Sequence, residues 1–500
     1  MVNRSTSWRR HVGRLLVVAS AVWFAIAAAP AAAQGTADRP VTFAKDIAPI
    51  LQKSCQQCHR PDSIAPMSLM TYAQVRPWAR AIKLRTQLAY APGMRGVMPP
   101  WLYERNVGVQ KLKEDPRLTD EELAVIAKWV DSGAPEGNAA DLPPPRTFAD
   151  NSRWFLGKPD LIVASPAVTV KGVGADWWGD FGETGPLKEL TEDRYAASAE
   201  YKETSDLTKS TGPLKSTSNQ NTYAGQGKTS IFVFHHGSAS VRRPSQNGEA
   251  DLDAEAAGGG NLSLHEVGRN GDVFASDAGK LVPANAVFLW NGHLHSPGVP
   301  GADRNAVLNI GLKLHPRGYK PTFQEASIQI SSTELDIRPE LSNQRYDAYW
   351  VASQPFKLLN FEPHLHATGM RMCLEAIYQR SIETIGCAGY DHNWVRNYQF
   401  DDDYTPILPK GTILHTISWF DGTARNANII DPRNTTVWGR RSVQNMLGTF
   451  NKAFLLTDGQ YQDELAKRRD YLTKTNGWDR AVGCPGCFEP PVPAQRAQSQ

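Results

Sequence analysis

Cys55-Gln56-Gln57-Cys58-His59 constrains this chain more than any other stretch. Two thiols at this spacing can form thioethers with the vinyl groups of a haem, and the imidazole that follows directly can ligate its iron. A covalently held porphyrin has to be enclosed, so the residues around the motif must fold about it. Zinc or a disulfide would also use the cysteine pair, but neither requires His59 to abut Cys58.

The motif stands behind an export signal. Arg4, Arg9, Arg10 and Arg14 precede an apolar run over 15–29 and the small residues Ala31-Ala32-Ala33. Residues 1–33 therefore read as a signal peptide cut after Ala33, since the apolar run is short for a bilayer span. No other stretch is long and apolar enough to cross a membrane, so the mature chain is expected to be periplasmic or secreted. Cysteine usage agrees with an oxidising compartment. A hairpin centred on Arg380 would set Cys373 opposite Cys387, where a disulfide can close. Cys484-Pro485-Gly486-Cys487 has no βαβ pattern around it, which favours a local disulfide over a redox dithiol.

At 500 residues the chain exceeds one core, and several domains are expected. Its 54 Lys and Arg against 51 Asp and Glu leave no basic surplus, and no long single-sign run invites nucleic acid. Helical spacing from Phe43 and the capping box Thr119-Asp120-Glu121-Glu122 predict an all-α, cytochrome c-like haem domain over 34–140. A Pro-rich linker follows over 141–157. From Lys158 onward, short β-rich runs at 161–170, 230–234, 286–290, 327–330 and 412–420 predict β-sandwiches. Residues 203–228 read as a long exposed loop and 460–472 as a final helix. The tail 456–500 carries the Cys-Pro-Gly-Cys motif and ends in a disordered stretch over 490–500.

In the haem region His59 is the expected proximal ligand. Met98, in Met98-Pro99-Pro100-Trp101, is the expected second axial ligand, with Met67 and Met94 as rivals. Two protein ligands close both axial positions, so this haem would carry electrons and leave dioxygen alone.

Three histidine clusters each end an apolar β-run: His235-His236, His293-Leu294-His295 and His364-Leu365-His366. Residues i and i+2 of a strand share a face, so a His-x-His pair can offer two imidazoles to one metal. His235 and His236 would diverge on an ideal strand unless Gly237 marks a bulge that turns both the same way. Imidazole-rich sites suit copper or zinc, and a thioether in the set favours cuprous copper. His265, His315, His392 and His415 stand alone and read as core or surface residues.

These stretches resemble the type II copper, ascorbate-dependent monooxygenases, the group of dopamine beta-monooxygenase and peptidylglycine alpha-hydroxylating monooxygenase. The resemblance rests on His235-His236, on the segment from Gly292 to Gly298 and on that from Pro363 to Gly369. It continues from Trp419-Phe420-Asp421-Gly422-Thr423 through Trp438-Gly439 to Met446. It implies two jelly-roll sandwiches, over 158–340 and 341–455, with one copper on each. The first copper would take His235, His236 and His293, with His295 as the alternative to His293, and would relay an electron. The second would take His364, His366 and Met446 and meet dioxygen and substrate. The chain departs from the group in Gln444-Asn445, where relatives carry acidic residues, and in the small Gly237 after the histidine pair.

The expected fold is thus multidomain, an all-α cytochrome c domain followed by two all-β sandwiches. The expected activity is hydroxylation of a C–H bond of a small organic substrate with O2. Its cofactors would be one haem c and two coppers, with electrons from an ascorbate-like reductant or a redox protein. The alternative is a non-catalytic electron-transfer or copper-binding protein. A zinc hydrolase on the same histidines would leave the haem idle and lacks a His-Glu-x-x-His arrangement.

Overall fold

The computed structural model describes residues 39–488 apart from 61–64, 66, 89–95, 148–153, 155, 176, 206–232, 245–259, 267–270, 276, 297–299, 302, 379–380, 393, 427, 430, 440–443 and 479–480. The expected signal peptide, most of the polar loop after residue 203, Met94 and the stretch 490–500 lie outside the described residues.

The longer strands of the first half are β1 (Leu161–Ala164), β2 (Trp177–Thr184), β3 (Arg194–Ser205), β4 (Phe234–Arg242), β5 (Gly260–Glu266), β6 (Val287–Leu294) and β7 (Arg304–Leu314). They pair antiparallel in two sheets, β2-β6-β4-β5 and β1-β7-β3. On β6 the sidedness follows from the two-residue period: Phe288 and Trp290 are fully buried in the core between the sheets, while Leu289, Asn291 and His293 face outward. Leu308, Ile310 and Leu312 of β7 meet them from the opposing sheet.

In the second half the strands are β8 (Gln324–Ser332), β9 (Gln344–Val351), β10 (Phe356–Leu358), β11 (Asn360–Phe361), β12 (Pro363–Leu365), β13 (Gly369–Tyr378), β14 (Ser381–Gly389), β15 (Tyr398–Gln399), β16 (Ile413–Phe420) and β17 (Leu447–Leu455). One sheet runs β9-β16-β13-β14; the other runs β8-β17-β10, with β12 also on β17. β8 belongs to this second sandwich by its pairing with β17. Cys373 and Cys387 are directly opposed in β13 and β14 and are joined by a disulfide, as the hairpin reading expects. Cys484 and Cys487 form the local disulfide. The terminal helix runs over Asp458–Thr475, closed at its start by the Thr457–Gln460 capping box.

The expected all-α cytochrome c domain is absent, and the fold is mostly β. The helices ahead of residue 140 are short: α1 (Ala48–Ser54), α2 (Tyr72–Val75), α3 (Ala79–Gln87) and α4 (Asp120–Asp131). The Thr119 capping box does open α4. Residues 101–112, however, run along the second sandwich, with a turn over 105–108. Tyr103 bridges Ala388 and Leu112 bridges Phe400; Glu104 N–H donates to the Cys387 carbonyl and Val109 N–H to that of Ile385, at 2.8 and 2.9 Å. Trp101, Tyr103, Val109 and Leu112 are buried in the core of the second sandwich. The physical reason is edge satisfaction: β14 ends its sheet with unpaired backbone groups, and a segment with apolar residues two apart supplies both the hydrogen bonds and the side chains. Residues 41–500 accordingly form one compact unit.

Trp101 fixes this seam. It is 6 % exposed, its ring meets Tyr398 edge-on at 5.1 Å, and the Arg396 guanidinium lies 4.8 Å over it. Trp101→Ala is expected to cost about 3–5 kcal/mol, read as a lower urea midpoint in equilibrium unfolding. A midpoint within experimental error of the parent would refute this account of the seam.

Candidate metal centre

The sheet β2-β6-β4 presents its outward face through Trp178, His293 and His236, one from each neighbouring strand. His236 and His293 are 3 and 2 % exposed, with stacked rings 5.7 Å apart. Trp178 packs against both, at 5.8 and 5.1 Å. The device that turns His236 outward is a register shift between Phe234 and His236, so that Phe234 faces the core opposite Leu294 and His236 sits opposite His293. Gly237 is therefore not the bulge. A Cβ there would strike the Leu308 side chain, so the glycine permits close packing of the two sheets. The side chain of His235 lies outside the described residues. His295 is half-buried beside His293, ring centres 4.7 Å apart.

On the second sandwich, β12 pairs with β17 so that His364 opposes Gly448 and Leu365 opposes Leu447. Leu365 is fully buried in the core, which turns His364 and His366 to the other face. The pairing ends at Leu365 and Leu447, with Met446 the next residue of the chain and half-buried; Gly448 and Phe450 share the face of His364. Phe450 meets His364 edge-on at 4.9 Å. Asn445, fully buried, holds this strand start: its amide donates to the Thr436 carbonyl at 3.1 Å and its carbonyl accepts from the Thr368 hydroxyl. The Asp421-to-Asn426 loop is tied in by Asn426, which donates to the Ala367 carbonyl at 3.2 Å.

These two groups of histidines meet. His236 and His364 lie 5.5 Å apart, so imidazoles from both sandwiches form one continuous series: His295, His293, His236, His364, His366 and, 5.7 Å beyond His366, His392. His392 is the member that sequence reading missed, because a lone histidine after a strand carries no spacing signal. His265, His315 and His415 stay out of the series. His265 faces Tyr201, His315 reaches the Ala278 carbonyl, and His415 bonds Asp347 and Glu375.

Burial dominates the electrostatics. Desolvation holds His236 and His392 well below the usual imidazole range and lowers His364 to about 3, and the neighbouring rings add repulsion in each case. All three stay neutral at ordinary pH, the state in which imidazole binds a metal. His366 Nδ1 stands 3.2 Å from the Gln444 carbonyl. A carbonyl only accepts, so Nδ1 keeps the proton and Nε2 keeps the lone pair.

Imidazoles bound to one tetrahedral ion at about 2.0–2.1 Å hold their ring centres roughly 5 Å apart. Neighbouring rings of this series lie 4.7 to 5.7 Å apart. Among the described residues, no three His, Cys, Asp or Glu side chains are arranged to hold a metal ion. The rings instead meet stacked, tilted or edge to face, and convergence of their nitrogens would require rotation about side-chain torsions. Neutral, buried imidazoles, with the Met446 thioether one residue before the pairing with Leu365, fit copper by donor type.

The Cys55-to-His59 motif follows α1. Cys55 and Cys58 are not disulfide-bonded, and burial raises both thiols, Cys55 to about 12. His59 Nδ1 lies 3.2 Å from the Met67 carbonyl and must donate to it, leaving Nε2 with its lone pair. Met98 is half-buried after α3, its N–H donating to the Arg85 carbonyl at 3.1 Å. Arg396 of the second sandwich stands near enough to Cys58 to favour its thiolate, against the larger effect of burial.

No family model matches the chain, and no curated protein matches it. Among solved structures, the crystal structure of PBSX exported protein XepA is similar over 57 % of this chain and 92 % of that chain, at 6 % identity with a TM-score of 0.14. A likeness that slight carries no argument.

The two glycines that frame the site should respond differently to alanine. Gly237→Ala overpacks against Leu308 and is expected to cost about 1–3 kcal/mol. At Gly448 a Cβ meets nothing closer than 3.9 Å, so Gly448→Ala should stay within about 1 kcal/mol of the parent. Denaturant unfolding of both variants checks the contrast, and equal midpoints would contradict it.

Proposed function

We propose that this chain is an exported copper- and haem c-containing monooxygenase that hydroxylates a C–H bond of a small organic substrate with O2. The observation that carries the reading is the series of buried imidazoles contributed by both sandwiches. His364, His366 and Met446 would hold one copper; His235, His236 and His293, with His295 adjacent, would hold the other. Cys55, Cys58 and His59 would hold the haem, with Met98 as its second axial ligand. Bound copper and haem supply the one-electron chemistry that such an oxygenation requires.

The protein's own residues do the rest. Burial of the two sandwich faces against each other excludes water from the ligand set. The Gln444 carbonyl fixes the ring orientation of His366, and the Met67 carbonyl that of His59. Trp178, against His236 and His293, and Phe450, against His364, flank the middle of the imidazole series with apolar surface. Two disulfides fit an oxidising compartment, and no described helix is long and apolar enough to cross a membrane. A periplasmic or secreted location is part of this proposal, as is an ascorbate-like or protein reductant.

One observation favours a second reading, a non-catalytic electron-transfer or copper-binding protein. At 5.5 Å, the rings of His236 and His364 leave no space between them for a substrate. Dioxygen consumption separates the two. Haem-loaded, copper-supplied protein given ascorbate or a reduced cytochrome is expected to take up oxygen. His366→Ala and Met446→Ala should each lower that uptake by ~100-fold or more. Two coppers bound with no oxygen consumed would select the second reading, and uptake indifferent to both substitutions would remove the assigned oxygen site.

A further inference from the structure

We propose that a cleft between the two sandwiches binds a small aldehyde or ketone with a second oxygen, and that Lys452 captures it as an imine. The inference is independent of the copper and haem reading and uses none of its residues. The cleft encloses about 520 Å³, with its mouth open to solvent, and no histidine lines it. Asp272 and Phe274 come to it from the first sandwich, and Asn360, Asn397, Gln399 and Lys452 from the second.

The strands aim these side chains. β11 and β15 pair with Asn360 opposite Gln399 and Phe361 opposite Tyr398. Phe361 and Tyr398 lie in the core of the second sandwich, so Asn360 and Gln399, with Asn397 two residues earlier, face the other way. On β17, Ala453 lies in the same core, and Lys452 beside it is half-buried and faces outward, opposite Ser327 of β8.

The polar groups of the cleft are unevenly satisfied. The Asn360 amide donates to the Asn397 side-chain carbonyl at 2.6 Å. The Asn397 N–H groups and the Gln399 side-chain amide have no hydrogen-bond partner among the described residues. Among the same residues, Lys452 Nζ donates to the Ser327 hydroxyl alone, at 2.8 Å, and makes no ion pair. Its neighbour Lys280, in contrast, pairs with Glu325 at 2.9 Å. Amide donors lacking an acceptor, and an amine lacking a counter-ion, stand beside the apolar ring of Phe274. That combination suits a small molecule with one oxygen to accept hydrogen bonds and one carbonyl carbon open to attack.

Burial, and then the charge of Lys280, bring the Lys452 ammonium down to about 8, against Glu325, Glu362 and Asp272, which favour the charged form. The amine therefore sheds its proton as pH rises through about 8. At pH 7 roughly a tenth of it is the neutral nucleophile, against less than about a thousandth of an ordinary lysine. Its lone pair adds to the carbonyl carbon, and the oxygen takes up the proton that the nitrogen gives up. The resulting carbinolamine loses water to leave a carbon–nitrogen double bond. Amine and carbonyl thus become imine and water, with no oxidant or reductant consumed. The buried carboxylates of Asp272, Glu325 and Glu362 offset the charge of the protonated imine.

The test treats the full-length protein with glycolaldehyde and sodium cyanoborohydride, which reduces the imine to a stable amine, and maps the modified lysines by peptide mass spectrometry. At pH 7 Lys452 is expected to react about 10-fold or more faster than Lys53, whose side chain is 45 % exposed, and its rate should saturate with aldehyde concentration. The advantage over Lys53 should shrink as pH rises toward 10. Gln399→Leu should raise the half-saturating concentration about 5-fold, the loss of one hydrogen bond, while the protein unfolds at the parent's denaturant midpoint. Modification of Lys452 no faster than of Lys53 overturns the proposal. A rate that stays linear in aldehyde, or a half-saturation that Gln399→Leu leaves unchanged, overturns the cleft as the binding site. None of these readouts involves oxygen uptake or bound metal, so this proposal and the oxygenase reading fail separately.

Discussion

Moving an imidazolium out of water costs more than any nearby group can restore when its neighbours are other imidazoles. That constraint governs this molecule. His236, His293, His364, His366 and His392 are all nearly inaccessible, and they come from two sandwiches whose own cores are complete without them. They are buried because the outward face of one sheet is set against the outward face of another. The seam has further support away from the histidines. Phe323 and Phe454 stack at 5.1 Å beside Ala278, and Lys280 of the first sandwich pairs with Glu325 of β8 at 2.9 Å, with both side chains under 9 % exposed. A buried ion pair adds little net stability, but misplacing one partner is costly, so the pair resists sliding of one sandwich over the other. Register at the seam is what brings His236 to His364.

Much of this was legible in the residues. Alternation along 287–294 identifies which side of β6 faces the core, and the His-x-His spacing places His364 and His366 on one face with Leu365 on the other. The equal spacing of Cys373 and Cys387 about Arg380 anticipates their pairing, although a shift between Leu374 and Glu375 shortens the hairpin beyond them. The course of 101–112 along the second sandwich was hidden by the strong helix signals on either side of it. Trp101 and Tyr103, and Val107 and Val109, stand two apart, a strand period that the haem motif discouraged one from reading. His392 was illegible for a different reason. Its membership depends on a tertiary clamp, Tyr390 on Leu365, that no local pattern encodes.

The two motif histidines that would face iron and copper share one arrangement. In His59 and in His366 a backbone carbonyl accepts a hydrogen bond from Nδ1–H at 3.2 Å. Each carbonyl belongs to a nearby loop, that of Met67 or that of Gln444, so ring orientation follows the path of the loop without any carboxylate partner. A carboxylate would make the imidazole more basic and draw charge into a dry seam; a carbonyl orients the ring and adds no charge. The asparagine at 445 serves the same economy. Its amide bonds only neutral groups while it fixes the residue before Met446.

Closeness of the two histidine groups has opposed consequences for the proposed chemistry. A separation of 5.5 Å between His236 and His364 shortens any path for an electron between the sets, and it removes the solvent-filled gap in which a substrate would sit between them. Entry must then come from the Met446 side, where the residue is half-buried and the strand β17 has only begun to pair, or else the seam must open. Opening would hydrate His236 and His364, so the same desolvation that keeps them neutral sets a free-energy cost on it. A metal bound on either side lowers that cost, because a ligated imidazole resists protonation whether or not water reaches it. The energetics of the seam and the chemistry of its histidines are for this reason one problem, and metal loading is the variable that couples them.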